Sequence, residues 1–125
     1  MRPVIGNVMR MNWQKKLNEA LGLKIEGQDW GIENADPMRV HEFIAFFEGN
    51  IISDPWEPEA LAELIFQSAQ EAFEKNLLSL QDQRSLLSFY AKHRLKFPFT
   101  EKYWLSLNQS EWKIAQLLSD EKRGA

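Results

Sequence analysis

The chain has 125 residues, 44% of them apolar and 26% charged, with no cysteine. That size and balance fit one soluble globular core and argue against intrinsic disorder; the missing thiols exclude disulfides, thiolate metal sites and a cysteine nucleophile. The net charge of -3 conceals a segregation: residues 26–75 hold twelve acids against two bases, Arg39 and Lys75, whereas the flanking stretches are basic, near +4 and +3.

Residues 1–10 lack the apolar core of a signal peptide, and no stretch approaches the roughly 20 apolar residues that span a bilayer. A cytoplasmic protein without a membrane segment is expected. Residues 1–11 read as a flexible arm, 12–119 as a helical domain and 120–125 as a frayed tail.

Trp13, Leu17, Ala20 and Leu21 follow helical spacing, with Asn12 as a cap and Gly22 as a stop, and predict a helix over 12–22. Residues 23–35, with Gly27 and Gly31, read as an ordered loop pinned by Trp30. Asp36-Pro37 and Asp54-Pro55 each place a capping acid before a proline, the preferred start of a helix. The first start opens a helix carrying Val40, Phe43, Ile44 and Phe47 to Gly49. The second opens the longest helix, running to about Lys75, with Leu61, Leu64, Ile65, Ser68 and Ala72 on its buried face. Glu59, Glu63, Gln67, Gln70 and Glu74 share another face, read as solvated.

Ser79 and Asp82 have capping-box spacing and open a helix through Leu86, Leu87, Tyr90 and His93 that ends before Pro98. Thr100 caps a short turn with Tyr103 and Trp104. Asn108 and Glu111, bracketed by Leu107 and Trp112 as a hydrophobic staple, predict a last helix from 108 to about Ser119. No segment alternates as a strand does. The expected fold is all-α, a compact single-domain bundle of about five helices, antiparallel or orthogonal.

Catalytic motifs fail on spacing. His41-Glu42 lacks the second histidine of a zinc-protease helix, since Ala45 stands at that position. Glu59 and Glu63 are one turn apart in similar surroundings, whereas acid and base roles need environments that separate them. Asp29, Glu33 and Asp36 lack the ligand spacing of a calcium loop, and no glycine-rich loop leads into Lys-Ser or Lys-Thr. The reading is of a non-enzymatic protein with no cofactor and no metal.

The remaining signal concerns partners. The acids of the long helix, flanked by Phe66 and Phe73 and preceded by Trp56, combine charge that steers a cationic surface with aromatic anchors that dock on it. The candidate partner-binding residues are Trp30, Trp56, Glu57, Glu59, Glu63, Phe66, Glu71 and Glu74. The alternative is a nucleic-acid contact through the Lys92–Lys96 cluster and the aromatics after it, which the acidic middle of the chain disfavours.

In size, absence of cysteine, and the acidic Asp29–Glu74 region with Trp30 and Trp56, the chain resembles bacterial toxin immunity proteins of the contact-dependent and polymorphic-toxin kinds. That resemblance implies a cytoplasmic inhibitor that neutralises a basic partner, such as a nuclease toxin, by occluding its active site.

Overall fold

The computed structural model describes residues 7–50 and 54–124, with side chains described from residue 13 onward. Among these residues the fold is all-helical, with seven α-helices and no strand. They are α1 (Asn7–Leu21), α2 (Trp30–Glu33), α3 (Val40–Gly49), α4 (Trp56–Glu74), α5 (Leu80–His93), α6 (Pro98–Leu105) and α7 (Lys113–Gly124). A 3-10 turn, Arg94–Lys96, joins α5 to α6. The bundle is the expected one with two more helices than counted from sequence: the single turn of α2 lies inside the predicted loop, and the Thr100 turn is a full helix.

Helix α4 is the axis. Helices α2, α3, α6 and α7 all pack on it, and α5 closes the bundle against α3 and α7. It is 19 residues long and buried nearly all round. Leu61, Ala62, Leu64, Ile65, Phe66 and Ala69 are all inaccessible. Phe66 sits at the centre of an aromatic cluster, with the rings of Phe89, Tyr90, Phe97 and Trp104 between 5.7 and 6.5 Å away in edge-to-face arrangements. Such pairs add to the large apolar area each ring buries.

The helix ends follow their sequence signals, with instructive exceptions. Ser79 and Asp82 form the capping box: the Asp82 amide donates to Ser79 Oγ at 3.0 Å and the Ser79 amide to Asp82 Oδ2 at 3.1 Å. Gly22 takes φ +68° after α1, and the Leu23 amide donates back to the Asn18 carbonyl. That is a left-handed helix stop, which glycine adopts without steric cost. Asn76, at φ 59°, ends α4 in the same way, with the Leu77 amide on the Ala72 carbonyl.

Three predicted boundaries move. Asp36 spends its Oδ1 on the Met38 amide, so residues 36–39 form a turn and α3 starts at Val40 instead of Pro37. Asn108 does the same for the Ser110 amide, and α7 starts at Lys113. In both, the capping side chain makes a local turn that competes with the helix. At the end of the chain α7 continues to Gly124 where fraying was expected. Residues 7–11 of the predicted arm are helical, and its first six residues lie outside the described ones.

Polar side chains pin the loop before α2. Gln14 both donates to and accepts from the Gly27 backbone, at 2.8 and 2.9 Å. Asn18 accepts from the Trp30 indole at 2.7 Å, and Asn34 donates to the carbonyls of Ile25 and Trp30. Trp30 thereby lies edge-on against Trp13, ring centroids 5.3 Å apart.

Candidate partner-binding cleft

Most of the stripe of α4 read as solvated is internal, Gln67 being half-buried and only Glu74 exposed. Glu57, Glu59, Glu63, Ser68 and Gln70 are all buried, which corrects the reading of Glu57, Glu59 and Glu63 as surface acids that meet a partner. The physical reason is that each meets a donor from another element. Glu57 receives the Lys16 ammonium at 3.0 Å. Glu59 accepts from the Phe99 and Thr100 amides at 3.2 and 2.7 Å, holding the start of α6. Glu63 accepts from the Trp104 indole at 2.6 Å.

Gln70 and Ser68 continue the pattern: Gln70 Oε1 accepts from the Ile114 amide at the start of α7, and Ser68 Oγ from the Asp36 amide. The first N–H groups of any helix lack intrahelical partners. Here the central helix supplies those partners in trans for α6 and α7, so Glu59 and Gln70 are structural.

Two further expectations fall with this. Trp30 is 1% exposed and Phe66 fully buried, so neither meets a partner; Trp30 seals α1 and α2, and Phe66 is core. Glu71 is half-buried and Glu74 exposed, with Glu74 accepting from Gln70. Both lie near the C-terminal end of α4, about 22 and about 27 Å along its axis from Trp56 at the 1.5 Å rise of a helix. The eight predicted residues therefore do not form one surface.

Lys92, His93 and Arg94 of the basic cluster are likewise occupied. Lys92 and His93 both reach Glu48, at 3.5 and 2.9 Å, and Arg94 pairs with Glu101 at 3.1 Å. Glu101 also accepts from the buried Tyr90 hydroxyl at 2.5 Å; burial, then this carboxylate, push the phenol well above its ordinary value of 10. His41 pairs with Asp82. The two histidine pairs tie α3 to α5 in opposite senses, and His93 also lies against the rings of Phe47 and Phe89.

Of the predicted site Trp56 and Glu59 line an open concavity, Glu59 from within, with its carboxylate held by the Phe99 and Thr100 amides. A cleft of about 660 Å³ lies where α4 and α6 begin, lined among others by Phe47, Asp54, Pro58, Lys96 and Phe99. Trp56 and Phe99 stack across it, centroids 5.8 Å apart at 23°. Phe99 is 53% exposed and the adjoining Leu95 83%. Sequence reasoning placed Lys96 and Phe99 only in the alternative nucleic-acid contact and missed Pro98 and the pairing of Phe99 with Trp56; the available signal was two aromatics each set beside prolines at helix starts. Asp54 accepts from the Trp56 amide at 2.8 Å, so one of its oxygens fixes the entry to α4.

No group of three or more His, Asp or Glu side chains among the described residues is arranged to hold a metal. No described helix is long and apolar enough to cross a membrane. Compared with protein-family models, curated proteins and solved structures, the chain matches none.

Proposed function

We propose that this chain is a non-catalytic protein-binding module of the inhibitor or immunity kind, and that it engages its partner through the Trp56–Phe99 cleft. The observation that carries this reading is the stacked aromatic pair at the mouth of an open cleft, with Phe99 more than half exposed in a protein whose other phenylalanines and tryptophans are mostly internal. Exposed aromatics in a concave, rigidly held setting are the usual anchors of protein interfaces. The rigidity has a source, since Glu59 fixes the start of α6 and Asp54 the start of α4.

Occlusion by such a module needs no chemistry of its own. The carboxylates closest to the cleft floor are held by backbone N–H groups and serve the fold. Capture of a partner from the native cell, followed by titration of that purified partner against wild type and Phe99→Ala, tests the reading. Affinity should fall at least roughly tenfold in the variant, the signature of a hot spot. Equal affinity would sink it.

A further inference from the structure

We propose that the occupant of the Trp56–Phe99 cleft is an acidic, apolar segment of a partner protein; this rests on the protein-binding reading of the cleft and reverses the charge that the sequence suggests for the partner. Of the acids that made the middle of the chain look electronegative, those on the first half of α4, Glu57, Glu59 and Glu63, are interior, while Glu26, Asp29, Glu33, Glu42, Glu48 and Glu74 stay exposed and do not line the cleft. Around the cleft the balance is the other way.

Lys96 lines the cleft, and Lys102 follows Phe99 by three residues on α6, the spacing that puts two side chains on one helical face. Both lysines are exposed, and neither has an ion-pair partner among the described residues. The two carboxylates nearby are already engaged, Glu59 by the Phe99 and Thr100 amides and Asp54 by the Trp56 amide. Two helix starts, those of α4 and α6, also point at the cleft, each equivalent to about half a positive charge. Two ammonium groups and two helix starts against two carboxylates leave the mouth net positive by about one charge.

Phe99 stands exposed between these lysines in the chain, and Leu95, just before Lys96, is exposed as well. A complementary segment places carboxylates toward Lys96 and Lys102 and an aliphatic or aromatic side chain on the Trp56–Phe99 shelf. Such complementarity sets partner choice and the rate of encounter more than raw affinity, so charge reversal is the informative perturbation.

The probes are a short capped peptide alternating glutamate with leucine and phenylalanine, and its counterpart with lysine in place of glutamate. Binding to the full chain is followed by the NMR shifts of the Trp56 indole N–H and the Phe99 amide, with vesicles of phosphatidylglycerol in parallel. The acidic peptide should move these signals with an affinity at least roughly tenfold above that of the basic one. The K96E/K102E variant should invert the preference, and Phe99→Ala should weaken both peptides. Both lysines are exposed, so the reversal leaves the fold intact, which the dispersion of the remaining signals checks.

Preference for the basic peptide, or no inversion in K96E/K102E, overturns the charge inference while leaving the cleft as a binding site if Phe99→Ala still weakens binding. Indifference of both peptides to Phe99→Ala overturns the cleft itself. Response to vesicles with none to either peptide assigns the surface to a lipid headgroup layer and overturns the proposal.

Discussion

Glu59 and Thr100 bind each other twice: the Thr100 amide donates to Glu59 Oε1 at 2.7 Å, and the Thr100 hydroxyl donates to the Glu59 carbonyl at 2.9 Å. One residue of α4 thus uses its side chain and its backbone to fix the first turn of α6, and with it the position of Phe99. Hydrogen bonds to a charged group contribute about 1.5–3 kcal/mol each, and an orphaned buried donor costs more than the mean. Glu59→Ala should therefore lower stability by about 2–4 kcal/mol, read as a fall in the urea midpoint. A loss under about 0.5 kcal/mol, the range of ordinary surface changes, would show that α6 is held by packing alone.

The approach of α2 to α4 gives a second test. A Cβ added at Gly31 would stand 2.6 Å from Glu63 Cγ and 3.1 Å from its Cβ. In an exposed helix, glycine to alanine gains up to about 1 kcal/mol. Here the added methyl displaces either α2 or the carboxylate that receives the Trp104 indole, and overpacking of this kind costs about 1–3 kcal/mol. Gly31→Ala should thus lower the melting temperature, whereas Gly124→Ala, where nothing lies within 4 Å, should leave it nearly unchanged. A stabilised Gly31→Ala would mean the two helices are not in close contact.

The α3–α5 pairs set an acid limit. The hydrogen bond from His93, then Lys92, hold Glu48 below its ordinary 4.5. For Asp82, burial pushes upward, but the Ser79 backbone and then His41 outweigh it and the value falls below 3.8. A carboxylate with a depressed folded value contributes stability that is present above its unfolded value and lost as pH falls through the folded one. Stability should therefore drop as pH falls from about 4.5 toward 3, and the double variant Glu48→Gln, Asp82→Asn should show a shallower decline in urea midpoint over that range. Superimposable profiles would remove these pairs as the cause.

How much of this was readable from the chain can be argued from α4. Its length, its start at Asp54-Pro55 and its apolar face follow from spacing and capping rules that act locally. The fate of Glu59, Glu63 and Gln70 depends on which donors other elements bring, and those lie about forty residues away in sequence, at Phe99, Thr100, Trp104 and Ile114. One local sign was present: residues 56–74 contain no lysine or arginine. A solvated acidic face normally carries such partners at i+4, so their absence marks carboxylates that find donors elsewhere. Ser79 and Asp82 were legible for the opposite reason, since both partners of the capping box lie within one turn.

Phe97 and Phe99 separate the fold from the site. They are two residues apart at the entry to α6, and their surroundings are opposite. Phe97 is fully buried, stacked on Phe89 with centroids 5.6 Å apart and edge-on to Phe66 at 5.7 Å. Phe99 is 53% exposed and touches the core through Trp56 alone among the aromatics. Removing a buried phenylalanine ring costs about 3–5 kcal/mol through lost transfer energy and the cavity left behind. Phe97→Ala should therefore unfold the protein at markedly lower urea, while Phe99→Ala should cost less than about 1 kcal/mol, because half its area is already in water. The reverse holds for partner binding, where Phe99→Ala should remove affinity without removing structure. Equal destabilisation by the two variants would place Phe99 in the core and deny the cleft its anchor.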